Sequence, residues 1–171
     1  MLPSPSLLHQ LYNGTLQSRL NFGKALHAQL SHRLMQDPTF AGTFATLLQA
    51  ADTLGEYMAA MGMGRQCAAC ATNNPGGCCS REIAEETDAL QMLMNLLAGV
   101  KIDISEGQGK ACCFIGTEGC SFMFKPMFCL NYNCTRIIAQ IGPARSELEL
   151  LTGRLLGIQY EVEQLLLAGM K

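Results

Sequence analysis

The chain has 171 residues, a formal net charge of −2, 49% apolar residues and 15% charged ones. Such a chain forms one domain with a core of its own, which excludes disordered and fibrous classes. The charge balance leaves no electrostatic footprint for nucleic acid, and apolar runs such as 165–168 fall far short of the roughly 20 residues of a membrane span.

In chain order, the first 66 residues read as helix. Leu16, Leu20, Leu26, Leu30 and Leu34 recur mostly at helical spacing. Asp37-Pro38 then reads as an N-cap followed by proline at the first helical position. Phe40, Phe44, Leu47, Ala51, Leu54, Met58 and Met61 step by three and four along a second helix, which Gly62 and Gly64 are expected to end. A third helix is predicted from Ser80 as N-cap, with Glu82, Glu85 and Glu86 at the positive end of its dipole. Its buried stripe is Ile83, Thr87, Leu90, Met94 and Leu97, and Gly99 stops it. Short β pieces are predicted around 102–104 and 114–124, with Gly116 and Gly119 shaping a turn. Residues 135–141 read as an extra turn before a fourth helix, which starts at Pro143 and carries Leu148, Leu151, Leu155, Ile158, Val162 and Leu165. The expectation is an all-α domain over 1–171: a four-helix bundle with two mostly irregular cysteine-rich loops, 64–79 and 100–134, and a short β-hairpin. In an up-down bundle those loops lie at opposite ends, so a site fed by both needs the second loop to fold back.

Nine cysteines dominate the chemistry, all within the region 64–136. A chain this long needs no covalent staples. Its N-terminus has neither a basic n-region nor an apolar h-region, so the expected compartment is a reducing cytoplasm, where clustered thiols bind metal. The pattern is Cys67-x2-Cys70-x7-Cys78-Cys79, then Cys112-Cys113-x6-Cys120-x8-Cys129-x4-Cys134. A Cys-x2-Cys pair lets two thiolates face one ion while intervening amides bond the sulfurs. Nine thiols could supply two tetrahedral zinc sites with one left over. The adjacent pairs Cys78-Cys79 and Cys112-Cys113 suit the larger core of an iron–sulfur cluster better than one zinc ion. Copper(I) is a third reading, given soft thiolates and ten methionines, of which Met127, inside a cysteine loop, is the one candidate singled out and Met58, Met61 and Met94 sit in helix stripes. Arg65, Arg81, Lys110, Lys125 and Arg136 lie near cysteines and would balance thiolate charge, with Phe114, Phe122 and Phe124 as a shield against solvent.

The order of these residues resembles that of the CxxCxxCC zinc- or iron-chelating cysteine-cluster proteins of bacteria, a ferredoxin-like metal-binding group. There a Cys-x2-Cys and an adjacent Cys pair precede a helix, followed by Cys-Phe-Leu, a Cys-x-aromatic segment, Arg-Pro-x-x-Cys and a nearby Tyr. This chain has Cys67, Cys70, Cys78 and Cys79, then Cys113-Phe114-Ile115, Cys120-Ser121-Phe122, Lys125-Pro126-Met127-Phe128-Cys129 and Tyr132. Seven residues separate Cys70 from Cys78 where the pattern has two, and Lys125 replaces the arginine. The resemblance implies a metal or iron–sulfur centre on Cys67, Cys70, Cys78, Cys79, Cys113, Cys120 and Cys129. Cys112 and Cys134 fall outside that set.

No other chemistry is signalled. His9, His27 and His32 make no i, i+4 metal pair, and no nucleophile elbow, phosphate loop or His-Glu-x-x-His occurs. No residue is assigned a catalytic role. The reading is a binding protein, first a [4Fe–4S] protein in electron transfer, redox sensing or cluster handling, with a redox or protein partner. A zinc-pinned structural or interaction protein comes second and a copper(I) store third. Leu150, Leu156, Leu166 and Leu167 broaden the apolar face of the last helix and suggest a homodimer.

Overall fold

The computed structural model describes residues 5–73, 77–104, 109 and 111–170, and it is mostly helical. Helix α1 (Pro5–Tyr12) precedes α2 (Leu16–Gln36), whose first turn is capped by Thr15 accepting from the Ser18 amide at 3.1 Å. Asp37 both ends α2 and starts α3 (Pro38–Ala60), its carboxylate accepting from the Thr39 and Phe40 amides at 2.8 and 3.0 Å. Pro38 follows it, where the missing N–H costs nothing.

The apolar stripes do what their spacing predicts. Phe40, Phe44, Leu47, Ala51 and Leu54 of α3 are buried against Leu148, Leu155, Val162 and Leu166 of α9 (Arg145–Gly169), the most extensive helix pairing in the fold. The second is α2 with α6 (Ala89–Leu97). These four helices supply most of one large core, and a smaller cluster gathers Leu16, Leu20, Met92, Ile102, Phe114 and Phe122.

Three expectations change. The third helix is broken: Ser80 caps only a short α5 (Arg81–Ala84), and Asp88 starts α6 afresh by accepting from the Gln91 amide at 2.7 Å. Between them the buried Arg19 of α2 donates to the Glu85 carbonyl and faces its carboxylate at 3.8 Å, which pins the interruption. Gly99 does end α6, at φ +79°. Secondly, Cys67 and Cys70 are not in a loop. Gly62, at φ +67°, ends α3, but the chain at once re-forms a helix, α4 (Met63–Asn73), favoured by Ala68, Ala69 and Ala71 and anchored by buried Met63 and Ala71. Thirdly, the second cysteine segment contains a hairpin of β1 (Ile115–Gly116) and β2 (Gly119–Cys120), and a short α7 (Met127–Asn131). The hairpin was expected; α7 was not, and 102–104 form no strand.

The extra turn before the last helix is present as α8 (Thr135–Ile141). Pro143 lies in a 3-10 turn, Gly142–Ala144, ahead of α9. Among the described residues no helix is long and apolar enough to cross a membrane.

Candidate metal centre

Three devices bring the two cysteine segments together. The first is a backbone crossing between α4 and the hairpin. A Cβ on Gly64 would overlap the Glu118 carbonyl oxygen, and one on Gly119, which sits at φ +121°, would lie 2.8 Å from the Gly64 Cα. Only a glycine pair allows that approach, and it sets Cys67, one turn along α4, beside the strand that carries Cys120. The second is a short antiparallel contact in which Ser80 pairs with Ala111 and the Cys112 amide donates to the Cys79 carbonyl at 2.9 Å.

The third is a polar clamp inside the core. Asn95 is fully buried, and its carboxamide oxygen accepts from the Met123 and Phe124 amides at 2.9 and 3.1 Å. Its amino group donates to the Gln91 and Phe124 carbonyls at 2.9 and 2.8 Å. Gln91 also donates to the Phe124 carbonyl and accepts from Gln159 of α9 at 3.1 Å. The segment that leads into Lys125 is thus tied to two helices. Sequence reasoning passed over Gln91 and Asn95; their signal is two amides at i, i+4 in an otherwise apolar helix.

The result is a chamber of two adjoining compartments. The larger is a cavity of about 280 Å³ lined by Cys67, Cys78, Cys79, Cys112, Cys120 and Cys129 with Lys125. The smaller, about 50 Å³, is lined by Cys67, Cys70, Cys78, Cys129 and Cys134 with Arg136. Eight of the nine cysteines therefore face one chamber, Cys112 and Cys134 among them. Cys113 does not: it lines a separate cleft with Thr15, Gln17, Arg81 and Glu85. All nine thiols are free. They line walls rather than converge, and among the described residues no group of three or more His, Cys, Asp or Glu could hold a metal ion as placed.

The other predicted neighbours divide. Lys125 and Arg136 line the chamber, whereas Arg65 pairs with Glu118 at 3.9 Å in solvent and Arg81 pairs with Glu85 at 3.8 Å. Lys110 lies outside the described residues. Met127 points away, 65% exposed, while Met58 lines both compartments and Met63 the smaller. The three phenylalanines are buried behind the walls, Phe114 against Phe122 at 4.2 Å and Phe124 edge-on to Phe44 at 5.8 Å. Phe128 and Tyr132 stack at 5.4 Å, half exposed, beside Cys129.

The electrostatics follow from crowding thiols in a half-buried space. The Cys79 thiol donates to Cys67, which with Lys125 nearby lowers Cys67 to about 7 against its own burial. Cys79 is raised by that same bond, by burial, and by repulsion from Cys67, Cys78 and Cys112. Burial is the main cause that lifts Cys112 to about 12 and Cys129 to about 11, and it raises Cys78, Cys113 and Cys120 as well. Apart from Cys67, the shifted thiols of the chamber favour the protonated form, and a nearby positive charge would favour their thiolates.

The histidines, on α1 and α2, line neither compartment. Leu166 is buried in the core, and Leu156 and Leu167 pack against it, which leaves Leu150, 66% exposed, from the apolar face expected to dimerise. No family model matches this chain, and no curated protein or solved structure matches it.

Proposed function

We propose that this protein carries a cysteine-ligated iron–sulfur centre, [4Fe–4S] by donor chemistry, in the larger compartment, and that it serves electron transfer. The scaffold is read as a four-helix bundle of α2, α3, α6 and α9. The observation that carries the proposal is the gathering of thiols from α4, the 78–79 turn, residue 112, the hairpin and α7 around one cavity with a single lysine. A lone tetrahedral ion with sulfurs at about 2.3 Å leaves no void between its ligands. A cavity of about 280 Å³ among six thiols suits an inorganic core. Lys125 offsets part of the negative charge such a centre carries, and the buried phenylalanines behind the wall lower its solvent access. The likeness of the cysteine order to the CxxCxxCC proteins supports the same reading. Cys129 lies on the exposed side, next to the Phe128–Tyr132 pair, which gives a redox partner an approach.

The test is metal and sulfide analysis of anaerobically purified protein. The expected sample is brown, with iron and acid-labile sulfide in equal amounts and a reversible bleaching on reduction by dithionite. Absent iron and sulfide with stoichiometric zinc would establish the zinc-pinned structural protein instead, and several copper ions per chain would establish a copper(I) store.

A further inference from the structure

The charges of this chain are unevenly placed. The stretches 57–81 and 119–146 carry seven of the eight chamber cysteines, and together they hold five cations and no acid. The rest of the chain sets seven cations against fourteen acids. Three of the five cations are matched from outside those stretches: Arg65 by Glu118, Arg81 by Glu85 and Arg145 by Glu149. Lys125 and Arg136 remain, and among the described residues neither is in an ion pair. Lys125 faces the larger compartment; Arg136 borders the smaller one and is exposed to solvent.

Between these two positions the chain turns apolar side chains outward. Leu130 is the only buried residue of α7 and anchors it, while Met127, Phe128 and Tyr132 are 65%, 47% and 52% exposed, with Cys129 exposed among them. The Phe128 and Tyr132 rings stack with their planes 8° apart, so they form an ordered plate that loses little freedom when covered. Beside them Asn131, Asn133 and Arg145 line a polar cleft of about 320 Å³ against α9. Aromatic rings and methionine at the centre, with arginine and polar groups around them, is the make-up of a protein-binding patch.

We propose that the 125–136 face is the docking surface for the partner in electron transfer, and that the partner presents an acidic patch around an apolar centre. This rests on the iron–sulfur reading above and adds the chemistry of the partner's surface. The sign of the charge selects the occupant. A compact acidic patch is attracted within a Debye length of about 10 Å, whereas a long polyanion such as nucleic acid also meets the rest of the molecule, which has seven more acids than cations. A basic carrier is drawn to that acidic remainder, away from the chamber. Cys129 brings the edge of the chamber to the middle of the contact. One electron crosses there: the reduced centre is oxidised by one electron, the partner's one-electron cofactor is reduced by one, and no bond or proton moves.

The experiment uses two forms of one acceptor, a basic c-type cytochrome and the same cytochrome with its lysines succinylated. Binding to the anaerobic full-length protein is measured by calorimetry with both proteins oxidised. Electron transfer is measured by stopped flow after the protein is reduced with dithionite. At low salt the succinylated form should bind more tightly and be reduced at least about tenfold faster than the basic form, and high salt should remove the difference. Arg136→Glu should abolish the preference. Met127→Glu/Phe128→Glu should lower binding and rate about tenfold, with iron, sulfide and the melting curve unchanged because both side chains are exposed. Met35→Glu, beside Gly169 at the far end of α9, is equally exposed and should change nothing. The docking surface is overturned by a brown protein that shows no preference for the acidic form, by a preference that Met127→Glu/Phe128→Glu leaves intact, by tighter binding of a single-stranded thymidine oligonucleotide, or by a dimer that these substitutions dissociate. Protein without iron and sulfide that still binds the succinylated cytochrome through Met127 and Phe128 would refute the iron–sulfur reading and leave the surface standing.

Discussion

The glycine crossing between α4 and the hairpin is the most exposed point of the site, and Gly119→Ala tests it. The new Cβ would lie 2.8 Å from the Gly64 Cα, where ordinary contact starts at 3.4 Å, so the two backbones must part by about 0.6 Å. Overpacking of this kind costs about 1–3 kcal/mol. The residue also sits at φ +121°, where an L side chain adds about 1–2 kcal/mol. The total, about 2–5 kcal/mol, corresponds for a chain of this size to a fall in Tm of roughly 4–20 °C. The larger consequence concerns chemistry: with the strand displaced, Cys120 moves away from Cys67, and the metal content falls further than the fraction folded. Thermal melts by circular dichroism, run with iron and sulfide analysis on the same anaerobic samples, measure both. Gly64→Ala should behave alike, because its Cβ would overlap the Glu118 carbonyl, and the double variant should cost less than the two losses added. A Gly119→Ala protein with wild-type Tm and full metal content would refute the crossing as the element that assembles the site.

Three other substitutions probe the frame around it. Asn95→Leu leaves the Met123 and Phe124 amides buried without acceptors, for an expected loss of about 2–6 kcal/mol in chemical denaturation, with metal content reduced in the protein that remains folded. Gly157→Ala, on an exposed face of α9 with nothing within 4 Å, is the matching control and should stabilise by about 0.5–1 kcal/mol without touching the metal. Burial raises the carboxyls of Asp88 and Glu163, and repulsion from Asp88 adds to the rise at Glu163, so both favour folding most when protonated. That contribution is complete below their unfolded values of about 4 and is lost as pH rises through their higher folded values. Asp88→Asn keeps the cap on Gln91 and removes the charge. It should therefore be more stable than wild type at neutral pH, by a margin that shrinks as the pH is lowered toward about 4, measured by urea unfolding across that range.

How much of this was readable in the residues differs by element. The helices with an apolar stripe and a strong cap, α2, α3 and α9, follow from local rules, because the same side chains fix both the period and the buried face. The misreadings fall where a distant partner overrides the local signal. Gly64 reads as a helix stop but lies in the first turn of α4, where its missing side chain makes room for Glu118, far along the chain. The break at 85–88 depends on Arg19 reaching across from α2, and no local pattern announces it. For the cysteines, the order along the chain pointed to one thiol-rich region, and eight of the nine line one chamber. It took Cys113 into the set and left its neighbour Cys112 outside, whereas Cys112 lines the larger compartment and Cys113 a different cleft.

That last separation shows how the site is organised. Cys112 is held by a backbone bond to Cys79 beside the short antiparallel contact, and the chain turns at Cys113, which lines a different cleft. Cys79 in turn follows from Ser80, whose hydroxyl caps α5 while its backbone pairs with Ala111. The walls of the chamber are thus short, irregular pieces of chain, each fastened to the helical core at one position: Gly64 and Gly119 back to back, Ser80 at the head of α5, Asn95 gripping 123–124, and Leu130 anchoring α7. The fasteners fix which thiols line the chamber. The apolar core packs independently of the chamber, so under the proposed metal reading loss of a fastener is expected to empty the site before it unfolds the helical core.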